Sequence, residues 1–338
     1  MKKWSIFGLL ILMLMLAACS NDSSANSSGE SSDSNGEWKP KQPIELVAPG
    51  GAGGGWDTTA RSVAKVMQEE GIIKDDIGVV NKSGGGGAIG WAYINSMKGK
   101  PNHIFVSSPP LIFVPLNGQS KLDYTDFTPL SNMIADYGAF AVKADAKWDN
   151  LNDLFADMKK DPSSVTVVGA SSPGSMDHMQ FVKLAKAAGV DIKKIKYVSA
   201  QDGGALTQIL NGSADVYSAG VAETVEQVKA GKIKVLGITS EERLKGDTLS
   251  DFPTAKEQGI DATFVNWRGF FGPKDMSEAE VKYYEDKFKE VSESDAFADI
   301  RKKYGWEEMY MDSEEYKDFL KQQTEELGGL LDELGLGK

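Results

Sequence analysis

From Pro43 onward the chain alternates short apolar runs with longer stretches in which apolar residues recur at helical spacing. Residues Ile44–Ala48 form a β-like run closed by Pro49. Beyond a glycine-rich segment, Ala60, Val63, Ala64 and Met67 fall on one face of a predicted helix reaching Glu70, with Asp57 or Thr58 as its cap. The order then repeats as Ile77–Asn81, a loop over 82–90 and a helix to Met97, followed by His103–Ser107, the turn Ser107-Ser108-Pro109-Pro110 and the apolar run 111–116. A strand at 138–142 and a helix over 148–159, capped by Asp149 or Asn150, lead into a second series. That series comprises strand 165–169, loop 170–178, a helix to Ala188, strand 195–198, Gln201-Asp202-Gly203-Gly204 opening a helix to Leu210, and strands at 214–219 and 233–239. Segment 263–273 predicts one more strand ending in a turn. Segments 277–292 and 313–331 predict amphipathic helices, with Ser277 and Ser313 as start signals, packed on the first series.

Alternation of this kind predicts an α/β fold in which mostly parallel sheets are covered by helices. The glycine- and serine-rich loops fall where strands run into helices, the side of such sheets where ligands bind. Two similar modules result, and a cleft between them is the natural place for a ligand. The first loop is the densest, with five glycines within residues 50–55 ahead of Trp56 and Asp57. Backbone N–H groups converging there, with a helix dipole behind them, suit an anion held without lysine or metal.

Ahead of Pro43 the pattern changes. Lys2 and Lys3 precede an apolar run over 6–16, too short to cross about 30 Å of hydrocarbon as a helix, and Leu16-Ala17-Ala18-Cys19 follows. Residues 1–18 therefore predict an export signal. The last four residues resemble the bacterial lipobox, in which the cysteine is lipidated after cleavage; the alternative is a free cysteine in an ordinary signal. Residues 20–37 carry Ala25 as their single apolar side chain, so 19–41 predicts a lipidated Cys19 and a flexible Ser/Asn-rich tether. Cys19 being the one cysteine, the folded body holds no disulfide, cysteine metal site or catalytic thiol. The 338 residues suffice for two domains, and 37 basic against 49 acidic residues without a basic stripe argue against a nucleic-acid partner.

Competing chemistries of the glycine loops separate on individual residues. Neither loop ends in the Gly-Lys-Ser or Gly-Lys-Thr of a P-loop. Gly85-Gly86-Gly87-Ala88-Ile89-Gly90 fits a dinucleotide fingerprint, but no Asp or Glu stands between Asp76 and Asp123 to hold a ribose. Two readings remain: tight turns that need positive φ, and a carboxylate held by backbone amides. His103 begins a strand and reads as structural. His178, at a helix start, reads as a binding residue or as part of a cap. With no second histidine beside it, no Gly-x-Ser-x-Gly elbow and no acidic metal spacing, neither a triad nor a zinc site is supported, and no enzyme, cofactor or metal is expected.

The order of motifs carries a family resemblance. Ala48-Pro49-Gly50-Gly51, Gly53-Gly54-Gly55-Trp56-Asp57, Ala60-Arg61, the run 80–90, Asp126-Phe127-Thr128-Pro129-Leu130, the run 169–178, Asp215-Val216, the run 230–240, Asp251-Phe252-Pro253-Thr254 and Trp267-Arg268-Gly269 follow one another. This resembles the substrate-binding proteins of tripartite tricarboxylate transporters, over residues 43–330. The resemblance implies a two-lobed, periplasmic-binding-protein-like fold of the type II, Venus-flytrap kind, with a mixed, mostly parallel sheet in each lobe. Lobe 1 would be 42–141 plus 267–338 and lobe 2 would be 142–266. It also implies a monomeric extracytoplasmic receptor, held at the cell membrane through Cys19, that delivers an organic acid to integral-membrane permease subunits. A ligand-sensing lipoprotein serving a signalling partner is the alternative. Gly-Gly-Gly-Trp-Asp departs from the commoner family form and looks more like members associated with citrate and other tricarboxylates. On this reading Gly53, Gly54, Gly55, Trp56, Asp57, Ser83, Gly86, Gly87, Ala88, Ser107 and Ser108 hold the ligand from one side. Ser171, Ser175, His178, Asp202, Gly203 and Ala219 line the other. Arg268 supplies a planar guanidinium for a second carboxylate, or else forms a surface salt bridge.

Overall fold

The computed structural model describes residues 38–200 and 204–338; the export signal, Cys19, most of the tether, Asp202 and Gly203 lie outside the described residues. The first half contains β1 (Ile44–Ala48), α1 (Gly55–Glu69), β2 (Ile77–Asn81), α2 (Ala88–Asn95), β3 (His103–Ser107), α3 (Pro110–Leu116) and β4 (Thr128–Lys143). Next come α4 (Leu151–Lys160), β5 (Thr166–Gly169), α5 (Met176–Ala187), β6 (Lys196–Ser199), α6 (Ala205–Leu210), β7 (Val216–Gly220), α7 (Val221–Lys229) and β8 (Ile233–Ile238). The chain ends with β9 (Val265–Gly272), α8 (Glu278–Glu293), α9 (Asp295–Tyr304), β10 (Glu307–Met311) and α10 (Ser313–Leu334).

The α/β architecture and the mixed character of the sheet are as expected, with antiparallel pairing more extensive than the strand–helix alternation implied. Strands run in the order β2-β1-β3-β9-β4-β7-β5-β6, with β10 and β8 also paired to β4. The parallel pairs are β1–β2, β1–β3, β5–β6 and β5–β7. Every pairing of β4 is antiparallel, as is β3–β9. β4 itself is the reason: it was expected over 138–142 and runs for 16 residues. Residues 128–137 of β4 pair with β9 and the rest with β7 and β8, so one strand serves both groups of strands. Its first half escapes the apolar pattern because Ser131, Asn132 and Asp136 interrupt it, although all three are buried.

Local chemistry sets the element ends. Asn150 caps α4, and Ser277 with Glu280 forms a reciprocal capping box on α8. Three expectations need correction. The cap of α10 is Asp312, paired with Glu315, rather than Ser313. α1 begins at Gly55, so Asp57 sits in its first turn and is not its cap. α9 and β10 were not foreseen, being short and rich in charge. β1 and α1 pack Leu46, Val63 and Met67 against Tyr284, Phe288 and Val291 of α8. α10 adds Tyr316, Leu320 and Leu331 to a larger core containing Trp91, Phe105, Phe181 and Trp267. Farther along α10, Glu326 and Glu333 pair with Lys183 and Lys186 of α5. No helix among the described residues is long and apolar enough to cross a membrane.

Gly269 is packed closely against this core, since a Cβ there would collide with the buried Tyr316 hydroxyl, which has no hydrogen-bond partner. Gly269→Ala should lower unfolding free energy by about 1–3 kcal/mol through overpacking. Tyr316→Phe, which removes an unsatisfied buried hydroxyl, should leave stability unchanged or slightly raised. Urea unfolding midpoints of the two variants check both.

Candidate functional site

Five strand-to-helix junctions open onto one cleft of about 720 Å³. One wall is built by residues after β1, β2 and β3: Pro49 to Gly51, Gly53 to Trp56 with Thr58, Ser83 to Gly87, Ser108 and Pro110. The facing wall comes after β5 and β7: 170–172, Ser175, Met176, Asp177, Gln180, Gly220, Ala222 and Glu223. Gln119, Asp136, Asn266, Arg268, Tyr304 and Trp306 complete the lining.

Four helices point their N-termini at this space. The N-caps of α1, α2, α5 and α7 are Gly54, Gly87, Ser175 and Gly220, and none supplies a side-chain cap. α4, α8, α9 and α10 begin away from the cleft and are capped by Asn150, Ser277, Ser294 and Asp312. First-turn N–H groups have no acceptor within their own helix, so these termini bring donors to the cleft, although the Asp177 N–H of α5 is taken by Ser171 Oγ at 2.8 Å. Residues 84–87 all have positive φ, from 59° to 128°, a run that requires glycine and brings bare backbone to the rim.

Asp57 shapes the first loop from behind. Its Oδ2 accepts the Gly53 N–H at 2.8 Å, and its Oδ1 accepts Arg61 Nε and Asn81 Nδ2, both at 2.9 Å. Burial works to raise its pKa, but the hydrogen bonds from Arg61, Gly53 and Asn81 outweigh it and hold the carboxyl below the usual range. Trp56 faces the cleft and donates its indole N–H to Ser108 Oγ at 3.0 Å.

Arg268 is 7 % exposed. Nη1 donates to Gly55 O at 2.9 Å and Thr59 Oγ1 at 3.0 Å, Nη2 pairs with Asp136, and the guanidinium lies 5.4 Å from the Trp306 ring. Its salt bridge is therefore buried at the edge of the cleft, not on the outer surface. Burial pushes Asp136 upward, against the pull of Arg268.

The facing wall is acidic. Asp177 Oδ2 accepts the N–H groups of Ala170 and Ser171 at 2.8 and 2.9 Å, fixing the turn after β5. Burial, with Glu223 adding to it, lifts Asp177 to about 7. Glu223 keeps solvent contact through the open cleft, yet the enclosing walls raise it as well; its Oε2 accepts the Tyr217 hydroxyl at 3.2 Å.

Of the residues singled out by sequence, Gly53, Gly54, Gly55, Trp56, Ser83, Gly86, Gly87, Ser108, Ser171, Ser175 and Arg268 line the cleft together. Asp57, Ala88, Ser107, His178 and Ala219 are absent from the lining. His178 Nδ1 accepts the Gly174 N–H at 3.0 Å, and its ring stacks on Tyr197 at 4.5 Å. Burial lowers its pKa to about 4. Asp136, Asp177, Gln180, Glu223, Tyr304 and Trp306 were missed. Asp177 and Glu223 had one available signal, an acid in the first turn after a short strand. Among the described residues, no group of three His, Cys, Asp or Glu is placed to hold a metal ion.

A family model for the tripartite tricarboxylate transporter family receptor (TctC) matches residues 59–336. The chain belongs to this receptor family. A TctC solute-binding protein from Polaromonas is 27% identical, with a TM-score of 0.69 over 87% of this chain and 99% of that one. Two Rhodopseudomonas palustris structures share the fold: MatC with bound malate (18% identity, TM-score 0.72, 87% and 100% covered) and a protein with adipate (20%, 0.75, 88% and 99%). This receptor is thus an extracytoplasmic solute-binding protein, not an enzyme.

Asp177 and His178 give the receptor opposite pH responses. Between the ordinary carboxylate range and about pH 7, the folded chain keeps a proton on Asp177 that the unfolded chain releases, so this group's contribution falls as pH rises. Between about pH 4 and the ordinary imidazole range, the unfolded chain protonates a histidine that the folded chain keeps neutral, so that contribution rises with pH. Asp177→Asn should therefore gain stability relative to the parent as pH goes from 5 to 8. Urea midpoints at pH 5, 6.5 and 8 test this; parallel profiles for the two proteins would contradict it.

Proposed function

We propose that this receptor captures an organic carboxylate, citrate or another di- or tricarboxylate, and hands it to the permease subunits of a tripartite tricarboxylate transporter. The observation that carries this reading is the set of helix N-termini left without side-chain caps around one cleft. Malate and adipate in the two R. palustris neighbours support the ligand class. Gly53 to Trp56, Ser83, Gly86, Gly87 and Ser108 bind from one side, with Ser171 and Ser175 opposite. On the same reading Asp202 and Gly203 are ligand-binding residues as well. Asp57, Ala88, Ser107, His178 and Ala219 support these groups from behind. Arg268 contributes its remaining N–H groups to the ligand while staying paired with Asp136.

The lobes, 42–141 with 267–338 and 142–266, close by bending at β4 and β9, and the ligand favours the closed form by binding it better. Lipidation at Cys19 holds the monomeric receptor at the membrane, where 19–41 gives it reach.

Isothermal titration against citrate, tricarballylate, succinate, malate and adipate tests the ligand class, and failure of every acid to bind would sink the reading. Gly54→Asp provides a sharper test. Gly54 has φ −74° and ψ 171°, which any residue adopts, so an aspartate there should cap α1 and leave stability level or raised by a few tenths of a kcal/mol. Its carboxylate would occupy the anion position, and affinity should fall by about tenfold or more. Thermal melting and titration of one sample give both numbers.

A further inference from the structure

The two walls of the cleft differ in charge although both are built from helix N-termini. α2 has no acid in its first turn, and the first-turn acid of α1, Asp57, is turned back into its own loop by Gly53, Arg61 and Asn81. That wall offers backbone donors. In α5 and α7 the first-turn acids, Asp177 and Glu223, line the cleft themselves. A Cβ on Gly220 would lie 3.9 Å from Asp136 Oδ2 and 4.0 Å from Glu223 Oε1, so these two carboxylates flank that glycine. Three carboxylates therefore line the cleft beside one guanidinium, which is bonded to Asp136, Gly55 and Thr59. Tyr217 donates to Glu223, and the Asp177 Oδ2 atom is filled by two backbone donors.

An anion that filled such a cleft end to end would set its second carboxylate against Asp177 and Glu223. Like charges in a partly desolvated site repel strongly, and an ionised carboxylate accepts hydrogen bonds but cannot donate them. Burial raises both acids, and a neighbouring negative charge adds to it, Glu223 for Asp177 and Asp136 for Glu223.

Building on the carboxylate-capture reading, we propose that Asp177 and Glu223 form an acceptor subsite that selects organic acids carrying a hydrogen-bond donor, a hydroxyl or an ammonium, beyond the carboxylate anchored at the glycine loops. These residues determine specificity: they take the donor of the ligand and disfavour the fully ionised acid that lacks one. A site built to pair a donor disfavours the analogue without it because its acceptor carboxylates then face only the ligand's own negative charge.

Matched pairs test this at pH 8 by isothermal titration: tricarballylate against citrate and succinate against malate for the hydroxyl, and glutarate against glutamate for the ammonium. In the parent protein, the donor-bearing member of at least one pair should bind about tenfold more tightly, the scale of one good hydrogen bond to a charged group. Glu223→Gln should reduce that ratio at least fivefold, chiefly by tighter binding of the plain acid, and Asp177→Asn should move it in the same direction. Circular dichroism and melting temperature establish that each variant is folded, and either variant alone suffices. Equal affinities within every pair, or ratios unchanged in both variants, would overturn the subsite while leaving carboxylate capture intact. Absence of binding by all six acids would overturn both.

Discussion

Arg268 reaches from β9 to Asp136 on β4 and to Gly55 and Thr59 on α1, joining the two central antiparallel strands to the helix that opens on the cleft. Burying such a pair costs several kcal/mol of hydration per ion, which only close partners offset. Here the guanidinium has a carboxylate, a carbonyl, a hydroxyl and an indole face around it. The pair also dictates sequence nearby. A Cβ on Gly55 would fall 2.6 Å from Arg268 Nη2, so the first residue of α1 must be glycine for the strand and helix to approach this closely. The position of the helix terminus, and with it the donor field of one wall, follows from this single contact.

The same local device, a short strand turning into a helix without a side-chain cap, is used with two electrostatic outcomes. Where the first-turn acid is absent or folded back, the junction presents N–H groups. Where it also borders the cleft, as Glu223 does and as Asp177 does while accepting the Ala170 and Ser171 N–H groups, the junction presents a carboxylate beside them. A cleft made from repeats of one motif can thus distinguish the two ends of a ligand, which a uniformly cationic pocket would not do. A shared backbone design with different first-turn side chains offers a physical route by which one fold adapts to different acids.

Much of this architecture was legible because glycine and serine clusters mark strand-to-helix junctions and apolar runs mark strands. The junctions after β1, β2 and β5 were placed as strand-to-helix loops and do meet in one cleft, whereas the helices after β3 and β7 were not foreseen. The first half of β4 was not legible. Its buried polar residues find partners far away in the chain: Asp136 at Arg268 and Asn132 at the Met309 carbonyl. Arg268 was noticed, but its carboxylate partner, 132 residues distant, could not be read from spacing. Asp177 and Glu223 read as ordinary first-turn acids that favour a helix dipole, and only the packing of α5 and α7 on the shared strand β7 brings them to a common space. Interactions between residues close in sequence were readable; charges that matter through tertiary neighbours were not.

Asp57, Asn81 and Arg61 hold the glycine loop from behind, and this has a kinetic and entropic side. A loop so rich in glycine would forfeit much conformational freedom if a ligand had to order it. With Gly53 tied to Asp57, and Asn81 bonded to both Asp57 and the Gly50 carbonyl, the donors are already arranged by the protein's own bonds. Capture then does not carry the entropy of folding the loop, and encounter rather than loop ordering can set the rate at which a scarce solute is taken up.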